Sequence, residues 1–490
     1  MQSKAESNQV FERARLSRDA RFDGRFFIGV RTTGIYCRPI CPANAPKSEN
    51  VSFFPSAAAA SEAGYRPCLR CRPECAPGTP AWGGTSTTVQ RGLRLIADGA
   101  LDDGNVENLA ERLGVTSRHL RRLFVRHVGA GPLAVAHTQR LHFAKRLIDQ
   151  TSLSMADISV AAGFGSVRRF NDTFRKIYGR TPRDLRKDGR TSVTATSLSV
   201  LLPYRRPFDW HALLRFFGAR ATPGVEVVSN DEYLRTVRVA GGCGIIRVRD
   251  VGDAVALSVH GIDTASLFPV VQRVRSLFDV DAPVDDITSV LRRDRRLRPW
   301  LAIHSGVRVP GAWDGFELTV RAILGQQVSV SAATTFAGRI AERYGEPVGK
   351  TLEDMQDAPA TLFPEPRSLA RARLEHLGVI RSRAQTIRDL ARAVMRGDVS
   401  FDAAQRIEDF QKSLTAIRGI GDWTAEYVAM RAMKNPDAFP ASDLGLLRAF
   451  DSTDGTRLRP AELAARAEAW RPWRAYAALL IWGSDAGAGG

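Results

Sequence analysis

The residues of this chain best suited to chemistry are its clustered cysteines. Two close pairs, Cys37-x3-Cys41 and Cys68-x2-Cys71, could bring four thiolates onto one tetrahedral metal ion, and zinc is the ion that this spacing favours. In a reducing compartment such clustering indicates a metal site in preference to disulfides. Spacing alone favours a purely structural zinc site, so chemistry at the sulfur atoms needs support from the surrounding residues.

The segments around these pairs supply that support. They read Arg31-Thr-Thr-Gly-Ile-Tyr-Cys37-Arg-Pro-Ile-Cys41, Glu49-Asn-Val-Ser-Phe-Phe and Gly64-Tyr-Arg-Pro-Cys68-Leu-Arg-Cys71. Over about residues 8–75 the chain resembles the N-terminal domain of the Ada adaptive-response family. The resemblance implies that Cys37 accepts a methyl group from a methylphosphotriester in DNA, and that Cys41, Cys68 and Cys71 complete a site for one Zn²⁺.

Zinc coordination would affect both the nucleophilicity of the sulfur and the change in DNA binding that follows its methylation. A metal-bound sulfur stays deprotonated, and the thiolate is the nucleophilic form. Four thiolates on one divalent zinc leave an excess of negative charge, and alkylation of one sulfur reduces that excess and its repulsion of DNA phosphates. Methylation of Cys37 is therefore expected to strengthen DNA binding. Cys75 lies outside the pattern and is expected to be a bystander.

A second module is dense in helical periodicity. From Val106 the apolar residues fall on one helical face until Gly114 breaks the run, and Ser117 is placed to cap a following helix. This is a helix-turn-helix pattern, whose second helix suits the major groove of DNA. The residues off the core face of that helix, which we expect to contact DNA, are Arg118, His119, Arg121 and Arg122.

The same pattern occurs again, with Gly163 equivalent to Gly114, and its expected DNA contacts are Arg168, Arg169 and Asn171. A solvated helix face is the alternative for each of these arginines. The doubled unit ends in Phe174-Arg-Lys-Ile-Tyr-Gly-Arg-Thr-Pro182, and over about 89–187 it resembles the DNA-binding domain of the AraC family. A zinc module followed by this domain resembles the regulatory half of Ada, which implies a transcriptional activator of alkylation-damage genes working with promoter DNA and RNA polymerase.

The third module contains a helix, a tight Gly-x-Gly hairpin and a second helix. Gly419 and Gly421 let backbone N–H groups approach a DNA phosphate closely, and Arg418 adds positive charge beside it. Three further segments accompany the hairpin: Arg321-Ala-Ile-Leu-Gly-Gln-Gln-Val-Ser, Phe439-Pro-Ala-Ser-Asp443 and Trp470-Arg-Pro-Trp-Arg-Ala-Tyr-Ala-Ala-Leu-Leu-Ile-Trp482. Over about 313–485 the chain resembles helix-hairpin-helix DNA glycosylases of the AlkA 3-methyladenine type.

This resemblance implies roles around a glycosidic bond. Asp443 would be the catalytic carboxylate, because positive charge develops on the sugar as the bond to an alkylated base breaks. The base must first leave the duplex stack. The implied base pocket consists of Gln326, Trp423, Tyr427 and Trp482, with ordinary core packing as the alternative for each aromatic ring.

Four positions refine the expected activity. Strand-cutting members of the superfamily carry a Schiff-base lysine just after the hairpin, where this chain has Trp423, so base excision without lyase activity is expected. No cysteine follows Cys243, which argues against the iron–sulfur cluster of some relatives. Leu444 and Gln327 replace a tyrosine and an apolar residue of the best-known form, which bears on substrate range.

Length and charge agree with several DNA-binding modules. The chain has 490 residues and a formal net charge of +18, of which residues 1–190 contribute +14. A concentrated basic excess indicates a polyanion partner, and double-stranded, alkylated DNA fits better than a membrane, because no apolar run approaches a bilayer span. The polar N-terminus lacks a secretion signal, so the bacterial cytoplasm, with nucleoid association, is the expected location.

The whole chain therefore reads as a multidomain, mainly α protein with α+β parts. We predict a zinc-binding methyl-acceptor domain at 1–75, a linker at 76–88, helix-turn-helix units at 89–187 and a linker at 188–198. An α+β subdomain at 199–312 and an all-α glycosylase domain at 313–490 follow. The expected function joins damage sensing and gene activation to excision of bases such as 3-methyladenine.

Two alternatives to this reading stay open from the sequence. One is a DNA-binding regulator whose glycosylase module is inactive. The other is a constitutive repair enzyme whose N-terminal modules only add affinity for DNA. The Pro-Cys-His-Arg motif of the methyltransferase that usually follows the regulatory half of Ada is absent, and Cys243 is expected to be incidental.

Overall fold

The computed structural model describes residues 4–77, 87–102, 104–187, 198–349, 358–450 and 458–485. Most of the two predicted linkers, 76–88 and 188–198, lies outside the described residues. The chain forms two compact units: 1–205 with 253–258 and 262–272, and 206–252 with 259–261 and 273–490. The predicted fold class, multidomain and mainly α with α+β parts, is confirmed. Within the described ranges, no helix has the length and apolar character that crossing a bilayer requires.

The N-terminal module of the first unit is a small sheet with two helices. Its strands pair in the order β3-β1-β2-β4, antiparallel except for the parallel pair β2 and β4. Alternation along β1 places Phe27 against Tyr36 and places Phe26 and Ile28 in a second apolar cluster. The elements are α1 (Lys4–Leu16), β1 (Phe27–Val30), β2 (Ile35–Cys37), β3 (Val51–Phe54), α2 (Ala57–Glu62) and β4 (Arg66–Pro67).

The helical module of the first unit contains the two predicted helix-turn-helix units. Gly114 and Gly163, predicted as equivalent turn residues, have φ of +70° and +72°, so both turns use the left-handed region that favours glycine. The cap of the first recognition helix is Thr116, whose Oγ1 accepts from His119 N at 3.2 Å, and not Ser117 as predicted. The helices are α3 (Thr87–Ala97), α4 (Val106–Arg112), α5 (Ser117–Val128), α6 (Pro132–Gln150), α7 (Met155–Ala161), α8 (Val167–Tyr178) and α9 (Pro182–Lys187).

Val255, Leu257 and Val259 alternate along the strand Ala254–His260, and all three side chains are buried. In the second unit, β6, β7 and β8 form an antiparallel ladder in which β7 is central. The elements between residues 198 and 303, which are divided between the two units, are β5 (Leu198–Pro203), α10 (Trp210–Gly218), β6 (Glu226–Val228), β7 (Glu232–Val239), β8 (Gly242–Asp250), β9 (Ala254–His260), α11 (Leu267–Leu277), α12 (Val284–Leu291) and α13 (Arg298–Ile303).

Helix α14 (Gly315–Leu324) is the centre of the remaining helical region. Almost all of its side chains are buried, and it packs against α15, α17 and α19. One two-residue antiparallel ladder, β10 with β11, interrupts a region predicted to be wholly helical. The other elements are α15 (Val330–Tyr344), β10 (Glu346–Pro347), β11 (Thr361–Leu362), α16 (Pro366–Leu369), α17 (Arg381–Arg396), α18 (Ile407–Thr415), α19 (Asp422–Arg431), α20 (Leu444–Arg448), α21 (Pro460–Ala467) and α22 (Arg474–Asp485).

A buried ionic network supports the base of α14. Arg235 donates to both Glu226 and Glu317, and Arg321 donates to the same two carboxylates at 2.9 Å. Buried charges are tolerated when each is paired and hydrogen-bonded in this way. Because of these partners, the pKa of Glu226 falls to about 2 in spite of its complete burial, so the carboxylate stays ionised.

Candidate functional site

The four predicted zinc cysteines meet at one point of the first unit. The sulfur atoms of Cys37, Cys41, Cys68 and Cys71 all lie within 4.8 Å of one another. The parallel pairing of β2 with β4 causes this, because Cys37 ends β2 and Cys68 follows β4, with Cys68 N donating to Tyr36 O at 3.0 Å. A tetrahedral zinc with bonds of about 2.3 Å needs sulfur separations of roughly 3.8 Å, which these positions fit.

The four cysteines differ in exposure. Cys68 and Cys71 are buried, whereas Cys37 and Cys41 are partly exposed. Cys37, Cys41 and Cys68 line a surface cavity of about 470 Å³. Arg38 extends along this site: its backbone N–H donates to Cys71 Sγ at 3.3 Å and its guanidinium pairs with Asp23. The two more accessible sulfurs are therefore those that a large substrate such as DNA could reach.

Cys75 does not join this cluster. It lies in the short turn Pro73–Cys75 after the fourth ligand, and burial, together with the nearby Glu74 carboxylate, raises the pKa of its thiol. Cys75 is partly exposed, as Cys37 is, but it lies outside the metal cluster, and a thiol of raised pKa is a poor nucleophile. Cys75 therefore provides a matched cysteine for experiments on Cys37.

The second unit has a cavity of about 330 Å³ lined by aromatic and charged side chains. Trp423 and Tyr427, one turn apart on α19, stack with ring centroids 5.2 Å apart and planes inclined by 8°. Trp482 on α22 lies 6.2 Å from Tyr427 at an inclination of 58°. The structure thus brings together three of the four predicted pocket residues, and Asp443 lines the same cavity.

Asp443 is held by three donors. It caps α20, with Oδ1 accepting from Leu446 N at 3.0 Å. Trp482 Nε1 donates to Oδ1 at 2.9 Å, and Trp423 Nε1 donates to Oδ2 at 2.8 Å. Each oxygen therefore accepts an indole N–H, which fixes the orientation of the carboxylate at the cavity wall.

The structure places Gln326 differently from the other predicted pocket residues. It is not among the residues lining the cavity; its Nε2 donates to Gly419 O at 3.0 Å and to Thr424 Oγ1 at 3.2 Å. The side chain thus joins the turn after α14 to the hairpin between α18 and α19. Leu444 also lies outside the cavity lining and is 67% exposed.

The hairpin has the backbone geometry that its glycines predicted. Gly419 has φ of +94°, and a Cβ there would lie 2.3 Å from Thr386 Oγ1, so only glycine fits. Gly421 is the N-cap of α19 and Arg418 is exposed beside it. This arrangement presents a helix N-terminus and a cation to solvent, as a phosphate site requires.

The predicted helix-turn-helix contacts lie on exposed faces. On α5, Arg121 pairs with Glu107 at 2.9 Å, and Arg122 lies 2.9 Å from His119 Nδ1. Six of the seven predicted positions are exposed and one is partly exposed. The exposed ones are Arg118, Arg121, Arg122, Arg168, Arg169 and Asn171, and the partly exposed one is His119.

Sequence reasoning missed the arginines of the aromatic cavity. Arg220, Arg321 and Arg431 line its wall, and Arg431 donates to the Tyr427 hydroxyl. Burial alone would raise the pKa of Tyr427, but the guanidinium charges of Arg431 and Arg220 outweigh it and lower that pKa. No motif signalled Arg220 or Arg431, because they reach the cavity only through the packing of α10 and α19.

Four family models match this chain over consecutive regions. They are the metal-binding domain of Ada (11–74), a helix-turn-helix domain (109–188), the AlkA N-terminal domain (199–314) and the HhH-GPD superfamily of base excision DNA repair proteins (320–475). A cysteine metal-site module, a DNA-binding module and a glycosylase module define a class of DNA-repair proteins that combine regulation with base excision.

Full-length similarity identifies the family within that class. The chain is 42% identical over 475 residues, 96% of its length, to the "Probable bifunctional transcriptional activator/DNA repair enzyme AlkA" of Mycobacterium tuberculosis, covering 95% of that protein. The chain belongs to this family of bifunctional transcriptional activator/DNA repair enzymes.

Two further comparisons concern the glycosylase half. DNA-3-methyladenine glycosylase 2 of Escherichia coli is 34% identical over 289 residues, which cover 57% of this chain and 95% of that protein. The solved 3-methyladenine DNA-glycosylase from Archaeoglobus fulgidus matches 60% of this chain and 99% of its own, with a TM-score of 0.51 at 20% identity. This last similarity shows a shared fold.

Proposed function

We propose that this chain excises alkylated bases such as 3-methyladenine from duplex DNA, and that it activates transcription after accepting a methyl group from a DNA methylphosphotriester. The observation that carries the first part is the Asp443 carboxylate, held by two indole N–H groups at the wall of an aromatic cavity. The cysteine cluster on a surface cavity supports the second part.

Base excision follows from the geometry of this cavity. After the base leaves the duplex stack, the rings of Trp423 and Tyr427 offer π-faces to an electron-poor alkylated purine. The C1′–N bond breaks with its electron pair leaving on the base, and the ionised Asp443 stabilises positive charge developing on the sugar. Water adds its hydroxyl to C1′ and gives up its proton, which leaves an abasic site and a free base.

No strand cleavage is expected from this site. A lyase step needs an amine to form a Schiff base with C1′, and the residue after the hairpin is Trp423. The direct test is release of free 3-methyladenine from methylated duplex DNA by the full chain, with strand nicks scored before and after alkali. Release with nicks only after alkali supports a monofunctional glycosylase, whereas nicks before alkali contradict it.

Replacement of Trp482 by Phe tests how the carboxylate is held. This change keeps an aromatic ring in the cavity and removes the N–H that donates to Asp443 Oδ1. Because a hydrogen bond to a charged group contributes about 1.5–3 kcal/mol, we expect single-turnover base release to slow about 10-fold or more. Trp300→Phe, outside the cavity lining, is the matched control. Equal rates for both variants would contradict an orienting role for the Trp482 N–H.

Methyl transfer is assigned to the cysteine cluster. Bound zinc would hold the sulfurs as thiolates at neutral pH. The Cys37 sulfur attacks the methyl carbon of a phosphotriester, forming an S–C bond while the C–O bond breaks, and the phosphodiester leaves with its negative charge. The loss of one thiolate charge reduces repulsion between this module and DNA. The basic faces of α5 and α8 then bind the promoter, and contact with RNA polymerase completes activation.

Elemental analysis tests the metal. The full chain is expected to hold one equivalent of zinc, because four sulfurs within 4.8 Å complete one tetrahedral shell. Cys68→Ser removes a buried ligand and should lower the zinc content well below one equivalent, whereas Cys75→Ser should leave it unchanged. Zinc loss in the Cys75 variant, or full retention in the Cys68 variant, would contradict the assigned ligand set.

A further inference from the structure

We infer that Arg383 is a positioning residue for base excision. It holds the turn Gln326–Gln327, at the edge of the aromatic cavity, in the conformation that the protein needs to extrude a base from the DNA duplex. The inference rests on the proposed glycosylase function and assigns a role to a residue outside the cavity itself. Arg383 lies in the first turn of α17 and is not among the residues that line the cavity.

The turn that Arg383 contacts is strained. Gln327 has φ of +56°, and within the described ranges only five residues other than glycine have positive φ. Such a conformation is unfavourable for a residue with a Cβ and persists only where its surroundings enforce it. Gln327 is exposed, and its neighbours Gly325 and Val328 both line the cavity. The strained residue therefore sits at the boundary between the cavity and solvent.

Side-chain hydrogen bonds on both sides of Gln327 support this conformation. The Arg383 guanidinium donates to the carbonyl oxygen of Gln326, directly before the strained residue. The Gln326 amide in turn donates to Gly419 O at 3.0 Å and Thr424 Oγ1 at 3.2 Å, which attaches the turn to the hairpin. On the C-terminal side, Ser329 caps α15 by accepting from Ala332 N at 3.2 Å.

Helix α17 also holds the hairpin directly. Thr386, one turn after Arg383, donates from Oγ1 to Arg418 O at 3.0 Å. One face of α17 thus contacts both the strained turn and the hairpin that would bind a phosphate. Helix α17 therefore supports the position of the cavity edge relative to the phosphate site alongside the direct bonds of the Gln326 amide, and Arg383 is the link from α17 to the cavity edge.

Loss of this link should affect extrusion more than duplex binding. Without the Arg383 donor, the turn is free to relax to negative φ, and the cavity edge moves relative to the hairpin. Undamaged duplex binding depends on phosphate contacts, which remain. Because extrusion depends on the position of the cavity edge, we expect the loss of Arg383 to lower the rate of base extrusion and therefore of base release.

The experiment compares Arg383→Ala and Arg383→Lys with Arg381→Ala, a matched control that removes an exposed arginine from the same helical turn. Full-length variants are tested for affinity toward undamaged duplex and for single-turnover release of 3-methyladenine. Extrusion is followed by the fluorescence of 2-aminopurine beside an uncleavable 2′-fluoro lesion. This last signal reports extrusion whether or not the bond is broken.

For Arg383→Ala we expect release to slow about 10- to 100-fold and the fluorescence change to fall with it, while duplex affinity stays within about 2-fold. Arg383→Lys keeps one donor and should recover part of the rate, and Arg381→Ala should match the unmodified protein. Equal losses of affinity and rate would overturn the inference and make Arg383 a phosphate contact. An unchanged fluorescence response would also overturn it. Extrusion without release by the unmodified protein would instead contradict the proposed glycosylase function.

Discussion

Asp443→Asn is expected to lower the rate of base release by about 10²- to 10⁴-fold, the range for removing a group that stabilises transition-state charge. Among the described residues, Asp443 is the one acid that lines the cavity, and two indole N–H groups donate to it at 2.8 and 2.9 Å. An amide is neutral and cannot offset the positive charge on the sugar. It also turns an N–H₂ group toward one of the indole donors, which leaves that donor unpaired.

The substitution should leave the fold intact. Asp443 caps α20, and asparagine is an equally good N-cap, so Leu446 N keeps its acceptor. Affinity for DNA with a 2′-fluoro lesion is therefore expected to stay within a few-fold of the unmodified protein. This combination of retained binding and lost release separates a catalytic role from a structural one.

Single-turnover release of 3-methyladenine from methylated duplex provides the measurement. Asp398→Asn is the control, because this carboxylate is exposed, pairs only with Arg396 in the described structure and lies outside the cavity lining. It should release base at the unmodified rate. Unchanged release by Asp443→Asn would remove the carboxylate from the mechanism, and absence of release by the unmodified protein would favour a regulator with an inactive glycosylase module.

Much of this architecture could be predicted because its signals are local. Helical periodicity and two turn glycines predicted both helix-turn-helix units. Cysteine spacing predicted a cluster of four sulfur atoms, and the structure contains that cluster. The cap of α5 was assigned one residue late, because Thr116 and Ser117 both have a hydroxyl and periodicity does not choose between them.

The remaining features arise from packing between distant segments. Arg220 reaches the aromatic cavity from the turn after α10 and Arg431 from the end of α19, and nothing in their local sequence indicates that they line the same cavity. The sequence predicts Gln326 in the base pocket, but its amide donates a hydrogen bond to the hairpin. The spacing of residues along the chain does not show on which side of a turn a side chain lies. The contact between Arg383 and Gln326 joins residues 57 positions apart.

Cys37→Ala is expected to abolish methyl transfer from phosphotriester DNA, from one methyl group per chain to below about 1% of that, because the substitution removes the proposed nucleophile. The measurement is transfer of labelled methyl to the full chain from DNA with methylated phosphates, with mass mapping of the modified peptide. Cys75→Ala is the matched control: Cys75 is as partly exposed as Cys37 but lies outside the cluster and has a raised pKa, so its loss should leave methyl transfer unchanged.

Two further readouts make the result on Cys37 specific. Release of 3-methyladenine should be unchanged in Cys37→Ala, since the residues assigned to that reaction all lie in the second unit. Promoter affinity of the unmodified protein should rise on incubation with the phosphotriester DNA, and that of Cys37→Ala should not. Cys41 is the other partly exposed ligand, so methyl groups mapped to Cys41 would contradict the assignment of the acceptor while preserving the chemistry of the cluster.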